Sequence, residues 1–293
     1  MTMKRGIFLF SITTILLTGG FALLFYFLHW DFLSPALMFI PLITSFVTQK
    51  FILKKPILGA NGLGFRLGKK RFLFLAPLLS LSFIVVIYSI SFLVHPKLFS
   101  MEAFKEAVQN LATYNKDFSL MTNVILAASI QVLVAPLLNI FIFIGEEVGW
   151  RGFLYPNLVH LYGKSGLLIG GFIWGIWHTP MIYLYDLNFG KHHHLGLLFM
   201  IAFCILAGII LQFMYVKSNS IYAVSLMHGM MNISAGLIFL FTAKEEYRYF
   251  IDGGTGLIGL TILLVIAVIC YRKFPIENLE RNNLKQLRKW AIS

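Results

Sequence analysis

Residues 119–151 read SLMTNVILAASIQVLVAPLLNIFIFIGEEVGWR, and the fold turns on this stretch. As far as Gly145 it holds nothing ionisable; Glu146, Glu147 and Arg151 then arrive almost together. A charged side chain inside a bilayer costs roughly 2.5–3.5 kcal/mol on insertion scales, so such groups are rare there and usually functional. Two later apolar segments carry His178 and the pair His228 and Asn232. Carboxylate, imidazole and amide on three apolar segments point to a catalytic site sunk into a membrane.

The whole chain fits that setting. Of its 293 residues, 58% are hydrophobic and 12% charged, with mean hydropathy +0.81. A soluble domain is about 25% charged, so this composition excludes one. About 20 apolar residues cross a ~30 Å hydrocarbon core as a helix. Segments of that kind lie near 6–28, 32–53, 72–94, 119–145, 165–185, 195–216, 220–242 and 255–271. The second is the weakest, since Pro35 and Pro41 interrupt it and Gln49-Lys50 end it early. The expectation is an all-α polytopic membrane protein of about eight transmembrane helices, one membrane domain over 1–293, with an intramembrane catalytic core.

The net charge of +12 reads mainly as topology. With eight spans, 18 of the 24 Lys and Arg residues fall on the side of the termini, Arg151 among them. The positive-inside rule then places both termini in the cytoplasm, and the plasma membrane is the expected location. Basic loops beside membrane spans meet anionic lipid headgroups. No nucleic-acid-binding module is present, so nucleic acid is not an expected partner.

Only Cys204 and Cys270 occur, each within an apolar span, which argues against a disulfide framework, a cysteine-based zinc site or a thiol nucleophile with a nearby base. The N-terminus has a basic start and an apolar run of about 20 residues without an A-x-A-like cleavage site, and reads as a retained first span.

Between spans, 54–71 (KKPILGANGLGFRLGKKR) is Gly-rich and basic but lacks the Lys-Ser/Thr of a phosphate-cradling loop. It reads as a membrane-surface linker with room for a short interfacial helix. Ser100 is a helix N-cap candidate, and Met101, Phe104, Val108 and Leu111 share one face of an amphipathic helix over 100–114. His192, His193 and His194 are consecutive, so they do not converge on a metal. The tail 272–293 is basic and amphipathic and suits the inner leaflet.

On a helix Glu147 and Arg151 share a face and pair naturally, while Glu146 is turned about 100° away and free to act as a general base. The plainer alternative is a charged cluster ending the span at the water interface. Trp174 lies one turn before His178 and Pro180 just after it, so a ring can pack beside the imidazole while the helix is strained; a core histidine bonding a neighbouring helix is the alternative. His228 and Asn232 project from one face and supply the donors of an oxyanion hole, or else polar glue between helices. Small Gly229 between them suits either role. The chain has no G-x-S-x-G elbow and no H-E-x-x-H.

Taken in order, Glu146-Glu147-x-x-x-Arg151, an aromatic residue four before His178, and His228-x-x-x-Asn232 resemble the motif set of the CPBP family. That family comprises intramembrane CAAX proteases and bacteriocin-processing enzymes, is also called the Abi family, and includes type 2 CAAX prenyl endopeptidases. The motifs span 146–232, and the family's helical core would cover roughly 119–242. The resemblance implies that Glu146 activates the attacking water with help from His178. It also implies that His228 and Asn232 stabilise the oxyanion while Arg151 holds Glu147. Trp174 stands where the family usually has Phe, a departure that bears on pocket shape. No cofactor is favoured; zinc on Glu146, His178 and His228 is the alternative.

The expected function is therefore an intramembrane endopeptidase acting on a membrane-associated peptide or lipidated protein, with the site opening toward the cytoplasmic half. Bacteriocin leader peptides, pheromone precursors and prenylated proteins all fit as substrates. A non-catalytic bacteriocin-immunity or scaffold protein of the same fold is the first rival. A transporter using Glu146 and His178 as a proton relay is the second, although no internal repeat of the transporter kind is found. Nothing in the chain specifies an oligomeric state.

Overall fold

A computed structural model describes residues 2–275 apart from 60, 236, 237, 239, 240, 244 and 245. The part of the basic tail at 276–293 lies outside the described residues. Among the described residues the regular structure is helical, with one isolated bridge between Phe99 and Thr242.

The first helix, α1 (Met3–Phe27), is followed by a 3-10 stretch (Asp31–Phe39) that leads into α2 (Ile40–Val47) and a π-turn (Thr48–Ile52). Pro35 lies in the 3-10 part and Pro41 at the start of α2, so the prolines tighten this segment without ending it. After α3 (Phe72–Val94) and the short α4 (Met101–Gln109), the fourth predicted span departs from expectation. It is broken into α5 (Leu120–Ser129), a π-turn (Ile130–Val134), α6 (Ala135–Leu138) and α7 (Ile140–Glu147). Pro136 lacks an amide hydrogen, and the helix resets beside it.

Nor does the helical path end at the carboxylates. It continues through a π-helix (Val148–Leu154) into α8 (Tyr155–Tyr162), then α9 (Ser165–Trp177) and α10 (Thr179–Tyr185). The final three are α11 (His193–Ser218), α12 (Ile221–Ala235) and α13 (Leu257–Arg272).

Five of these segments are long and apolar enough to cross a membrane: Met3–Phe27, Asp31–Ile52, Phe72–Val94, Ser165–Tyr185 and His193–Ser218. The expected count of eight is not reached by this measure, because Leu120–Ser129 and Leu257–Arg272 are shorter and α12 is described only to Ala235. Outward-facing apolar side chains such as Phe74 and Leu93, about four-fifths exposed, would be costly in water and suit lipid. The protein is an integral membrane protein.

At the centre, α9 packs on α11, α12 on α3 and α7, and α11 on α13. The carboxylate-bearing helix is also gripped from the side by α2. A Cβ on Gly149 would lie 2.4 Å from Pro41 Cβ and 2.7 Å from Pro41 backbone atoms, so only glycine admits this approach.

The connection 54–71 contains no helix among its described residues. It folds inward instead. Gln49 Nε2 donates to the carbonyls of Pro56 (3.0 Å) and Asn61 (2.9 Å), and Leu63 is fully buried. Burial lowers the Lys55 ammonium below its usual range. On the opposite end of α3, Ser100 caps α4 by accepting from the Ala103 amide at 3.1 Å. Helix α4 docks on protein through Val108 and Phe104, whose ring stacks on Phe241 at 5.0 Å; Met101, placed on the same face, is exposed.

Candidate active site

The two glutamates sit in the protein core. Glu146 is 2% exposed, Glu147 and Arg151 are fully buried, and the reading of a charged cluster at the water interface is set aside. Arg151, expected among the basic residues of the inner surface, is buried instead.

Helix α7 places the carboxylates, and the π-helix that follows carries Arg151 and Trp150. A π-turn widens the helix locally and is frequent at functional sites. Arg151 Nη1 donates to Glu147 Oε1 at 2.7 Å, so the pairing expected from the spacing is present. The guanidinium also lies over the Trp174 ring at 4.2 Å and near that of Tyr155 at 5.2 Å. Its Nε and Nη2, with Glu147 Oε2 and the Tyr155 hydroxyl, are buried without a hydrogen-bond partner among the described residues.

Glu146 faces another neighbourhood, as the spacing requires. Its Oε1 accepts from the indole of Trp150 at 3.0 Å and from that of Trp174 at 2.5 Å. Oε2 takes no hydrogen bond from the described residues.

His178 lies at the junction of α9 and α10, with Thr179 and Pro180 opening the next helix. Its Nδ1 donates to the Trp174 carbonyl at 2.9 Å, which leaves the Nε2 lone pair unblocked. Trp174 thus fixes His178 through its backbone as well as by a tilted ring contact at 5.8 Å. Cys204 corrects an expectation: its Sγ is 3.6 Å from His178 Nδ1, so a base does lie near a thiol. That nitrogen already carries a proton for Trp174, so it cannot take the one on sulfur.

Helix α12 brings His228 and Asn232 to the same place. His228 Nδ1 lies 2.8 Å from Glu147 Oε1, and Asn232 Nδ2 lies 3.2 Å from His228 Nε2. An Arg-paired carboxylate only accepts, so the ring proton sits on Nδ1 and Nε2 accepts from Asn232. Phe143 and Trp174 flank the imidazole at 5.2 and 5.4 Å. The close approach rests on Gly229, where a Cβ would fall 2.7 Å from Phe143 Cδ2.

All seven residues singled out in the sequence therefore gather in one cluster: Glu146, Glu147, Arg151, Trp174, His178, His228 and Asn232. Sequence reasoning missed Trp150 and the link from Glu147 to His228. The signal for Trp150 was its i, i+4 spacing from Glu146.

Among the described residues no group of three His, Cys, Asp or Glu side chains is arranged to hold a metal ion. The histidine run elsewhere is engaged in surface contacts: His193 with Asp186 at 2.6 Å and His194 with the Tyr183 hydroxyl at 2.7 Å.

Residues 128–234 match the model of the Rce1-like family, type II CAAX prenyl endopeptidase Rce1-like. The match takes in all three motifs. A comparison with curated proteins found no match.

Proposed function

Because residues 128–234 carry a type II CAAX prenyl endopeptidase Rce1-like domain, which implies intramembrane protease activity, we propose that this protein hydrolyses a peptide bond of a membrane-associated peptide or lipidated protein with Glu146 as the base. The observation that carries the reading is the Glu146 carboxylate itself. One oxygen is held by two indoles and the other takes no hydrogen bond from the described residues, in a site that also holds two oriented imidazoles.

Glu146 Oε2 takes a proton from water as the water oxygen bonds to the scissile carbonyl carbon. His178 Nε2, left as an acceptor by the bond from Nδ1 to Trp174, orients the second water hydrogen. The carbonyl π electrons move to oxygen, and this oxyanion is held by an N–H of the Asn232 amide, whose other N–H is oriented by His228 Nε2. Glu147, paired with Arg151, sets the His228 ring. The C–N bond then breaks, and the proton held by Glu146 passes to the leaving amine.

The site opens toward the cytoplasmic half, with both termini in the cytoplasm of a plasma-membrane protein, and the steps require no metal. The domain over 1–293 is one membrane unit whose core spans roughly 119–242. The test is cleavage of a fluorogenic membrane-peptide library, farnesylated CAAX peptides included, in proteoliposomes with and without chelator. Cleavage that persists with chelator supports the mechanism; loss restored by added zinc overturns its metal-free form.

A further inference from the structure

Glu146 needs more than burial to serve as a base. A carboxylate turns about a broad, roughly two-fold terminal torsion, so it presents either oxygen unless something distinguishes them. Here two donors converge on Oε1 from different elements: Trp150 from the π-helix one turn on, and Trp174 from α9. Both indoles are themselves immobilised. Trp150 is fully buried, with Phe10 and Trp177 packed edge-on against it, each at 5.8 Å. Trp174 is 1% exposed and lies under the Arg151 guanidinium. Indole N–H is a donor only, so neither group can take the proton that Glu146 gains.

We infer that Trp150 and Trp174 are positioning residues that clamp Glu146 through Oε1 and so dedicate Oε2 to the water. This rests on the proposed protease reading and goes beyond its motifs, because Trp150 belongs to none of them. It also gives the Trp at 174 a chemical task that Phe could not perform, since Phe has no donor. The clamp joins α9 to the carboxylate helix at the reacting group, so a shift of α9 would misplace the base. Misplacement of about 1 Å costs on the order of 100-fold in rate.

The experiment separates donor from shape. At position 150 the tryptophan is replaced by β-(3-benzothienyl)alanine, which keeps the bicyclic ring but has sulfur in place of N–H; Trp150→Phe and Trp174→Phe accompany it. Cleavage of a fluorogenic membrane peptide accepted by wild type is expected to fall about 10- to 100-fold in kcat, with KM unchanged. In parallel, indole ¹H–¹⁵N spectra of protein labelled at its five tryptophans are recorded for wild type and Glu146→Gln. The signals of Trp150 and Trp174, assigned from the Phe variants, are expected to move. That of Trp177, which donates to the Thr18 hydroxyl at 2.8 Å, is expected to stay.

The spectra need no substrate, and unmoved Trp150 and Trp174 signals overturn the clamp. Full kcat in the benzothienyl variant beside an inactive Glu146→Gln also overturns it while leaving the protease reading intact. Full cleavage by Glu146→Gln overturns that reading, and the positioning role with it.

Discussion

Glu147 Oε1 and His228 Nδ1 lie 2.8 Å apart, although 81 residues separate them in the chain. The same oxygen accepts from Arg151 at 2.7 Å. One buried carboxylate therefore fixes a cation on its own helix and an imidazole on α12, and the orientation of His228 depends on the charge of Glu147.

Glu147→Gln is expected to reduce stability as well as activity. It leaves the Arg151 guanidinium buried without its counter-ion, a loss of roughly 3–5 kcal/mol when one partner of a buried pair is removed. Replacing both, Glu147→Gln with Arg151→Met, should recover much of that stability while cleavage stays lost, because His228 is still unset. Thermal unfolding in detergent beside a cleavage assay checks both halves. Equal activity in wild type and the double variant would show that Glu147 serves only Arg151.

Gly149→Ala should destabilise the protein by about 1–3 kcal/mol, as overpacking does. The added methyl meets the Pro41 backbone, which cannot move aside as a flexible side chain would. The expected result is a lower unfolding temperature together with reduced cleavage, since the displaced segment carries Trp150. An unchanged unfolding temperature would show that α2 yields without cost.

Tyr247, in the connection between α12 and α13, gives a pH-dependent term. Burial first and the Asp252 charge second raise its phenol to about 12, and its hydroxyl donates to the Asp252 carbonyl at 3.4 Å. The folded protein thus holds this proton more tightly than the unfolded chain, where the value is about 10. The contribution is complete below pH 10 and is lost as pH rises through 12. Tyr247→Phe should flatten the fall in unfolding temperature across that window and leave neutral pH little changed. Identical pH profiles would contradict the assignment.

The site was legible because its residues recur at helical spacing on separate apolar segments. Glu147 and Arg151, and His228 and Asn232, are each four apart, and spacing alone predicts that each pair shares a face. Spacing within a helix is silent about which face meets which distant helix, so the bond from Glu147 to His228 was not readable. Trp150 escaped notice because a tryptophan in an apolar run is ordinarily core, and its N–H matters only once its partner is known.

The all-helical membrane class followed from composition, whereas the helix ends did not. The fourth span is interrupted at Pro136, which a hydropathy window averages across. The π-helix over Val148–Leu154 has no apolar period distinct from that of an α-helix, and it carries the helical path past the point where charge suggested an end. The inward folding of 54–71 was hidden for another reason: its basic side chains resemble a surface loop, while backbone carbonyls and Leu63 make the contacts.

The most direct test compares wild type with Glu146→Gln in proteoliposomes against the membrane-peptide library, with folding of the variant verified by its unfolding temperature. The account predicts cleavage by wild type and its loss in a folded Glu146→Gln protein. A folded Glu146→Gln protein that cleaves as wild type does, or that retains full function in cells, would contradict the assignment of Glu146 as the base.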